Sequence, residues 1–186
     1  MEFFGAVLER HGDMFEQQAL QFGGTFGEMF TCLGCRRESV LNRHESFVTL
    51  GVEAEDGELC ELVDRYLVQK ALRKWCEQCG RNTKHSSRKY VEVWGTHLLV
   101  QVERFNREGG KVEEHSPVVE SFVHDDVAWR LSGVIVHVGQ TVEEGHYICY
   151  ARRGATWYRC SDAEVSHVPW AVVAGAQAYG YLFERA

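Results

Sequence analysis

The feature of this sequence that most constrains its fold is a pair of C-x-x-C motifs, Cys32-Leu-Gly-Cys35 and Cys76-Glu-Gln-Cys79. Each spacing lets two thiolates point at one ion, and two such pairs complete a closed tetrahedral zinc site. Forty residues separate Cys35 from Cys76, so strands and a helix must be inserted between two hairpins that meet in space. We predict one structural zinc ion per chain, held by Cys32, Cys35, Cys76 and Cys79.

A glycine and two histidines give further expectations for this site. Gly34 lies inside the first motif, where a residue without a side chain lets the backbone fold tightly around the metal. His44 and His85 are the alternative ligands. We expect both to be solvated surface histidines, because four thiolates already complete a structural site.

The composition indicates an ordinary globular chain. Its 186 residues, 45% of them hydrophobic and 25% charged, suffice for one domain with a core. Seven cysteines are an odd number, and their spacing favours metal binding in a reducing compartment over disulfides. The net charge of −7 argues against a general nucleic-acid binder and suits a basic protein partner. With no long apolar run and no basic leader, the sequence predicts no membrane association and an intracellular location, cytoplasmic or nuclear.

Hydrophobic periodicity predicts a strand-rich α+β fold with few helices. Apolar positions at helical spacing predict a helix within residues 1–21 and a second over 58–72 that packs on a sheet. The predicted strands are 25–32, two segments within 38–52, 91–105, 117–123, 133–138, 145–152, 156–160 and 178–184, and a short segment at 169–174 is predicted to be helical. The strands 133–138, 145–152 and 156–160 are joined by short turns and form an antiparallel meander.

The sequence Gly145-His146-Tyr147 opens the middle strand of this meander, and Ser161-Asp162 follows the next strand. The glycine is expected to free the backbone so that the imidazole reaches the edge of the sheet. An imidazole whose tautomer is fixed by a hydroxyl or carboxylate can take a proton from a thiol. The same pattern alone is also that of a hydrogen-bonded structural histidine.

Along the chain, the two cysteine pairs precede the strand LLVQVERF at 98–105, the histidine motif and a closing AYGYLFER at 178–185. This order of motifs resembles that of the ubiquitin-specific proteases, which are papain-like deubiquitinases with fingers, palm and thumb. The resemblance covers the C-terminal two thirds of that family's catalytic domain. It implies a mostly antiparallel papain-like fold, with a thumb remnant at 1–24, zinc-binding fingers with an inserted helix at 25–95 and a palm at 96–186.

The resemblance also implies roles for individual residues. His146 is the general base, and the residue after Cys160 orients its ring. That residue is Ser161 here, where most members have Asp or Asn, and Asp162 follows at a usually acidic position. A serine hydroxyl accepts from the ring but carries no charge to stabilise an imidazolium, so either Ser161 or Asp162 could orient the base. Glu103 replaces the lysine that is usual in the family.

No sequence resembling the family's nucleophile motif, G-N-T-C-Y, occurs in the chain. Cys149 lies an odd number of residues from His146 on one strand and is expected on the opposite face. Cys160 is expected in the core. We therefore expect the nucleophile to be supplied by a missing N-terminal segment or by a complementing chain.

These observations predict a thiol-dependent hydrolase that cleaves the isopeptide bond after the C-terminal glycine of ubiquitin, with ubiquitin or a ubiquitinated protein as partner. The alternative is a catalytically inactive ubiquitin-binding or scaffold module, and a zinc-ribbon domain unrelated to ubiquitin is a third interpretation. The substrate-binding residues are predicted to be Glu143, Glu144, Gly145 and Tyr147. The acidic residues, with Asp162 or Glu103, would attract a basic ubiquitin tail.

Overall fold

The computed structural model describes residues 22–47, 49–55, 57–67, 71–106, 108–114, 117–141 and 143–186, with only the backbone described for 41–47. The helix predicted within 1–21 lies outside these residues. Most of the described chain is in antiparallel strands, accompanied by two short helices, which confirms the predicted α+β class. Neither helix has the length and apolar character needed to cross a membrane.

The elements follow one another along the chain as twelve described strands and two helices. The strands are β1 (Gly24–Cys32), β2 (Glu38–Phe47), β3 (Thr49–Glu53), β4 (Leu72–Cys76), β5 (Arg81–Trp94), β6 (His97–Glu103), β7 (Ser121–His124), β8 (Val127–Val138), β9 (His146–Arg153), β10 (Thr156–Ser161), β11 (Glu164–Val168) and β12 (Gly180–Arg185). The helices are α1 (Leu59–Leu67) and α2 (Trp170–Ala174).

A four-stranded antiparallel sheet has the order β2-β1-β5-β4. Its long central strand β5 pairs with β1 on one side and β4 on the other. The sequence predicted only the end of β5, because residues 81–90 are polar and lack the apolar alternation of a half-buried strand. The turns from β1 to β2 and from β4 to β5 carry the two cysteine pairs, so the sheet pairing brings these turns to one end.

An eight-stranded sheet has the order β11-β10-β9-β8-β12-β6-β3, with β7 paired to β8. The predicted meander is confirmed by the antiparallel pairs β8–β9 and β9–β10. Strand β3 pairs in parallel with β6, and α1 packs on β3. β3, which lies within the segment 25–95 that the sequence assigned to the fingers, therefore extends the eight-stranded sheet.

The hydrophobic core lies on the face of the eight-stranded sheet that carries α1 and α2. Trp129, Leu131, Tyr181 and Phe183 are fully buried there, and Leu62 of α1 joins the same cluster. Burying one such side chain contributes about 1.5–3 kcal/mol. This core fixes the relative positions of β8, β9 and β12, and through β9 it fixes the start of the strand that carries His146.

Candidate catalytic and metal sites

His146 is the first residue of β9, opposite Val138 at the end of β8. The alternation of a strand places its side chain on the face that carries buried Ile148 and Tyr150. The side chain is 44% exposed, because it stands at the edge of the core rather than inside it. The imidazole is thus held at one end by packed strands and is open to a reacting group at the other.

Of the two residues that the sequence offered as partners of this ring, Ser161 is the one within hydrogen-bond distance. His146 Nε2 lies 2.9 Å from Ser161 Oγ, whereas the Asp162 carboxylate is 3.7 Å away, which is too long for a hydrogen bond. Asp162 is the first residue of the two-residue turn between β10 and β11, with φ 50°, and its side chain is 85% exposed. This turn geometry directs the carboxylate into solvent, where water screens its charge.

The other ring nitrogen, Nδ1 of His146, has no hydrogen-bond partner among the described residues. With Nε2–H donating to Ser161, Nδ1 is the basic nitrogen and can accept a proton. The two nearby thiols do not reach it. Cys149 and Cys160 are paired across β9 and β10, which places both on the face opposite His146, and burial raises the pKa of Cys149. Cys160 is half-buried rather than part of the core as predicted.

His137, which the sequence did not single out, packs behind the strand end that carries His146. Its side chain is almost fully buried, with ring centroids 4.8 Å from Tyr147 and 5.3 Å from Phe105. Burial lowers its pKa, and Lys111 lowers it further, so both favour the neutral ring. In the sequence, His137 is the one polar residue of the strand VIVHV. That pattern alone did not identify it, because a single histidine in an apolar strand has many explanations.

His137 also explains why residue 145 is glycine. The backbone of Gly145 does not adopt a positive φ, so conformational freedom is not the reason, contrary to the sequence interpretation. A Cβ at Gly145 would lie 2.2 Å from His137 Nε2, which is impossible without displacing the ring. The glycine therefore lets the strand carrying His146 pass closely over His137.

The predicted substrate-binding residues lie beside this strand end. Glu143 and Glu144 are exposed on the loop before β9, and Tyr147 packs edge-on against Tyr179 with ring centroids 5.5 Å apart. Glu103, the further acid considered for this cleft, ends β6 three strands away from β9, or about 14 Å. It lines a groove whose lining residues include neither Glu143 nor Glu144.

Arg104 is a buried charge that the sequence did not identify as functional. It is only 1% exposed, and its guanidinium donates to the carbonyl oxygens of Ala178 and Glu114. These bonds compensate for part of the cost of burying the charge. They join the residue after β6 to residues 112–114 and to Ala178, two residues before β12 begins.

The four predicted zinc ligands come together at the end of the four-stranded sheet. The sulfur atoms of Cys32, Cys35, Cys76 and Cys79 all lie within 4.8 Å of one another, with Sγ···Sγ distances of 3.9 Å for Cys32 and Cys79 and 3.6 Å for Cys35 and Cys76. Zinc–sulfur bonds of about 2.3 Å in a tetrahedron require about 3.8 Å between sulfurs. The donor set and its spacing therefore fit one zinc ion.

The backbone of the two turns is folded in the same way. The residue after each second cysteine is left-handed, with φ 62° at both Arg36 and Gly80, and its N–H donates to the carbonyl of Cys32 or Cys76 respectively. Gly34 does not adopt a positive φ, so the expectation that its conformational freedom shapes the first turn is wrong. Its Cα instead lies close to the cluster, where a Cβ would contact the sulfurs of Cys79 and Cys32.

The electrostatics of the cluster favour a bound cation. A hydrogen bond with Thr83 lowers the pKa of Cys32 to about 5, whereas hydrogen bonds with Cys35 and Cys76 raise the pKa of Cys79 to about 12. Hydrogen bonds between the sulfurs thus favour one thiolate beside protonated neighbours, and a cation between them would favour the thiolate form of all four.

His85 does not belong to this donor set. Its ring is 3% exposed, and Nδ1 pairs with the carbonyl oxygen of Thr83. His85 is therefore a buried structural residue and not the solvated histidine that was predicted. The side chain of His44 lies outside the described residues.

Comparisons with known proteins agree with this arrangement. A sequence model described as "Ubiquitin carboxyl-terminal hydrolase" matches residues 13–183. The chain is 23% identical over 168 residues to a probable ubiquitin carboxyl-terminal hydrolase 8 of Schizosaccharomyces pombe, covering 85% of this chain and 36% of that protein. It is 25% identical over 181 residues to ubiquitin carboxyl-terminal hydrolase 25 of Arabidopsis thaliana, covering 88% and 27%. The chain thus spans about a third of the length of these relatives.

A solved structure shows the same fold. A SAGA DUB module of Ubp8, Sgf11, Sus1 and Sgf73 bound to monoubiquitin contains a chain that aligns with a TM-score of 0.77 and 21% identity, covering 90% of this chain and 41% of that one. The same module bound to ubiquitin aldehyde gives a TM-score of 0.75 and 20% identity, with 90% and 42% covered.

Proposed function

Because the chain belongs to the ubiquitin carboxyl-terminal hydrolase family, we propose that it supplies the general-base half of a thiol-dependent deubiquitinase of the ubiquitin-specific protease type. The family match confirms the resemblance inferred from the motifs, and the structural likeness confirms the papain-like fold class. The observation that carries the proposal is the pair His146 Nε2 and Ser161 Oγ at 2.9 Å, which leaves Nδ1 available.

In this proposal, Nδ1 of His146 accepts the proton of a cysteine thiol, and the thiolate attacks the carbonyl carbon of the C-terminal glycine of ubiquitin. The protonated ring then gives its proton to the departing lysine amine, and water releases the acyl group by the reverse route. Ser161 holds the ring in the tautomer that keeps Nδ1 basic. The nucleophile comes from sequence outside residues 1–186, because Cys149 and Cys160 lie on the opposite face.

We propose that Cys32, Cys35, Cys76 and Cys79 hold one zinc ion. Bound there, zinc supplies a cross-link between the β1–β2 and β4–β5 turns and takes no part in the reaction. The partner is ubiquitin or a ubiquitinated protein. Exposed Glu143 and Glu144 stand on the loop just before His146 and would attract a basic tail as it approaches the base.

A ubiquitin with a thiol-reactive C-terminal group tests this proposal. The isolated chain is expected not to react, whereas adding the N-terminal segment that carries the family's nucleophile, in cis or as a second chain, restores labelling. His146→Ala abolishes this labelling, and Cys60→Ser, which changes a thiol on α1, leaves it intact. Hydrolysis by the isolated chain with labelling at Cys149 or Cys160 would show that the nucleophile has been misplaced.

A catalytically inactive ubiquitin-binding module is the second candidate. It is favoured by one observation, that a neutral hydroxyl lies against the base while the nearest carboxylate, Asp162, is 3.7 Å away and exposed. Such a site stabilises an imidazolium poorly. Ubiquitin binding by the complemented protein, with no labelling and no hydrolysis, would support this candidate over the enzyme.

A further inference from the structure

The outer edge of the eight-stranded sheet borders a groove of about 680 Å³ that the proposed catalytic function does not use. We call it the edge groove. It is lined by Gly51, Val52, Glu53, Glu55, Leu62, Arg65, Tyr66, Ala71, Leu72 and Glu103. We propose that the edge groove binds an extended segment of a partner protein in which large apolar residues alternate with lysine or arginine.

One wall of the groove is a strand with an open edge. β3 pairs with β6 on one side, and no described strand pairs with its other side. An edge of this kind presents backbone N–H and C=O groups that an extended peptide can pair with. The groove is therefore suited to a segment that adds to the sheet as a further strand.

The floor of the groove is apolar on the side of α1. Val52 and Leu62 are buried there, and Tyr66 and Leu72 are half-exposed around them. The side chains of a strand that continues the sheet alternate between its two faces as those of β3 do. Every second residue of the added segment would therefore meet this apolar floor.

The other face of the same edge is acidic. Glu53 and Glu103 are exposed register partners on β3 and β6, and like charges placed side by side across strands repel. Neither carboxylate has an ion-pair partner among the described residues, whereas Glu55, the third acid of the groove, pairs with Arg65. The residues of the added segment that point to this face would therefore be Lys or Arg.

Gly51 directs one of these carboxylates toward the open edge. A Cβ at Gly51 would lie 3.2 Å from Glu103 Oε1. Because glycine has no Cβ, the Glu103 side chain can lie over Gly51. Glu103 belongs to β6, one strand in from the edge, and it reaches the groove only across Gly51. Within the described part of the chain, an open strand edge, an apolar floor and two carboxylates without an ion-pair partner thus combine to select an apolar–basic alternation.

The test measures fluorescence anisotropy of a short labelled peptide of alternating leucine and lysine, at low and at moderate salt. The parent chain is expected to bind it. Binding should weaken about fivefold or more in Glu53→Gln/Glu103→Gln, since two exposed charge pairs are lost, and should also weaken in Gly51→Ala.

The matched control Glu108→Gln/Glu120→Gln removes two exposed carboxylates elsewhere and should leave affinity unchanged. A peptide with the same composition but with its leucines in one block, or with N-methyl groups on alternate amides, should bind poorly.

Three results would overturn the proposal. Equal loss of affinity in the control variant would show that only net charge matters. Displacement of the peptide by ubiquitin, with ubiquitin affinity reduced in Glu53→Gln/Glu103→Gln, would assign the groove to the substrate of the proposed enzyme. Self-association of the parent chain that these two substitutions abolish would assign it to a second copy. Because the readout is peptide binding, failure here leaves the labelling experiment on His146 unaffected.

Discussion

The two sheets of this protein are stabilised by different means. The eight-stranded sheet and the helices packed on it contribute most of the buried apolar cluster, whereas Phe26 is the one buried member that the described part of the four-stranded sheet adds to it. The other buried residues of the smaller sheet, among the side chains that the structure describes, are mostly small or polar, namely Gly24, Gly27, Phe30, Cys32, Cys76, Thr83, His85 and Ser87. A sheet with so little apolar burial needs another source of stability.

The smaller sheet compensates in two ways. The ammonium groups of two lysines lie over its aromatic rings, with Lys74 Nζ 4.1 Å from the centre of Phe30 and Lys89 Nζ 4.5 Å from that of Phe26, which are cation–π contacts. The four-cysteine cluster lies at its far end. The candidate metal site thus lies at the end of the sheet with little buried apolar area, whereas His146 begins β9 in the sheet that carries most of the core.

Removal of the metal should have the largest effect and should be confined to the smaller sheet. In Cys76→Ser, zinc content is expected to fall from one per chain to none, because three thiolates no longer close the site. The loss could reach about 10 kcal/mol of metal-linked folding energy. Hydrogen exchange should rise in β1, β4 and β5 while β8 and β12 stay protected, and Cys60→Ser should retain zinc. Retention of zinc in Cys76→Ser would contradict the assigned ligand set.

A cavity in the larger sheet should have the next largest effect, and it should be global. Phe183→Ala removes a fully buried ring that packs edge-on against Phe122, and such truncations cost about 3–5 kcal/mol. Urea unfolding should report this loss, and hydrogen exchange should rise in β6, β8 and β12 together. Val165→Ala, at a position 64% exposed, should stay within about 0.5 kcal/mol. If protection from exchange were lost only in β1 and β5, the larger sheet would not be the one that depends on hydrophobic packing.

The hydrogen bond to the His146 ring should have a smaller and local effect. Ser161→Ala should leave global stability almost unchanged but should shift the ring nitrogen NMR signals of His146 away from the Nε2–H tautomer. In the complemented enzyme, turnover should fall about tenfold to a hundredfold, less than in His146→Ala, because the serine orients the ring and transfers no proton. Asp162→Asn serves as the control. An equal effect of Asp162→Asn would make the carboxylate the orienting group.

The smallest effect is expected from the ion cluster on the solvent side of the larger sheet. Arg130 donates hydrogen bonds to Glu184, and these, with weaker ones from Arg152, lower the pKa of that carboxyl. A lowered pKa means that the stabilisation is present above the ordinary value near 4.5 and is lost as pH falls through the folded value. Glu184→Gln should therefore destabilise by about 0.5 kcal/mol at pH 7, and the difference should vanish in strong acid. Glu120→Gln, which removes an exposed carboxylate outside this cluster, serves as the control.

Local spacing in the sequence determined much of the candidate site. The cysteine pairs, the histidine at the head of a meander strand and the amphipathic helix that became α1 depend on neighbours a few residues apart, and turn and strand geometry fixes such neighbours directly. The family resemblance then assigned the order of these motifs to a known architecture, which the comparisons confirmed. None of these inferences required knowledge of which distant strands pair.

The tertiary structure decided what depends on distant partners. Only the sheet pairing shows that β3 joins β6 and leaves an open edge, that polar β5 is a long central strand, and that His85 is buried. Ser161 rather than Asp162 lies within hydrogen-bond distance of His146 because a left-handed turn residue sends the acid into solvent, and Gly145 is required by His137 beneath it. These are contacts between side chains far apart in sequence, and residue type and spacing do not determine them because many pairings satisfy the same local pattern.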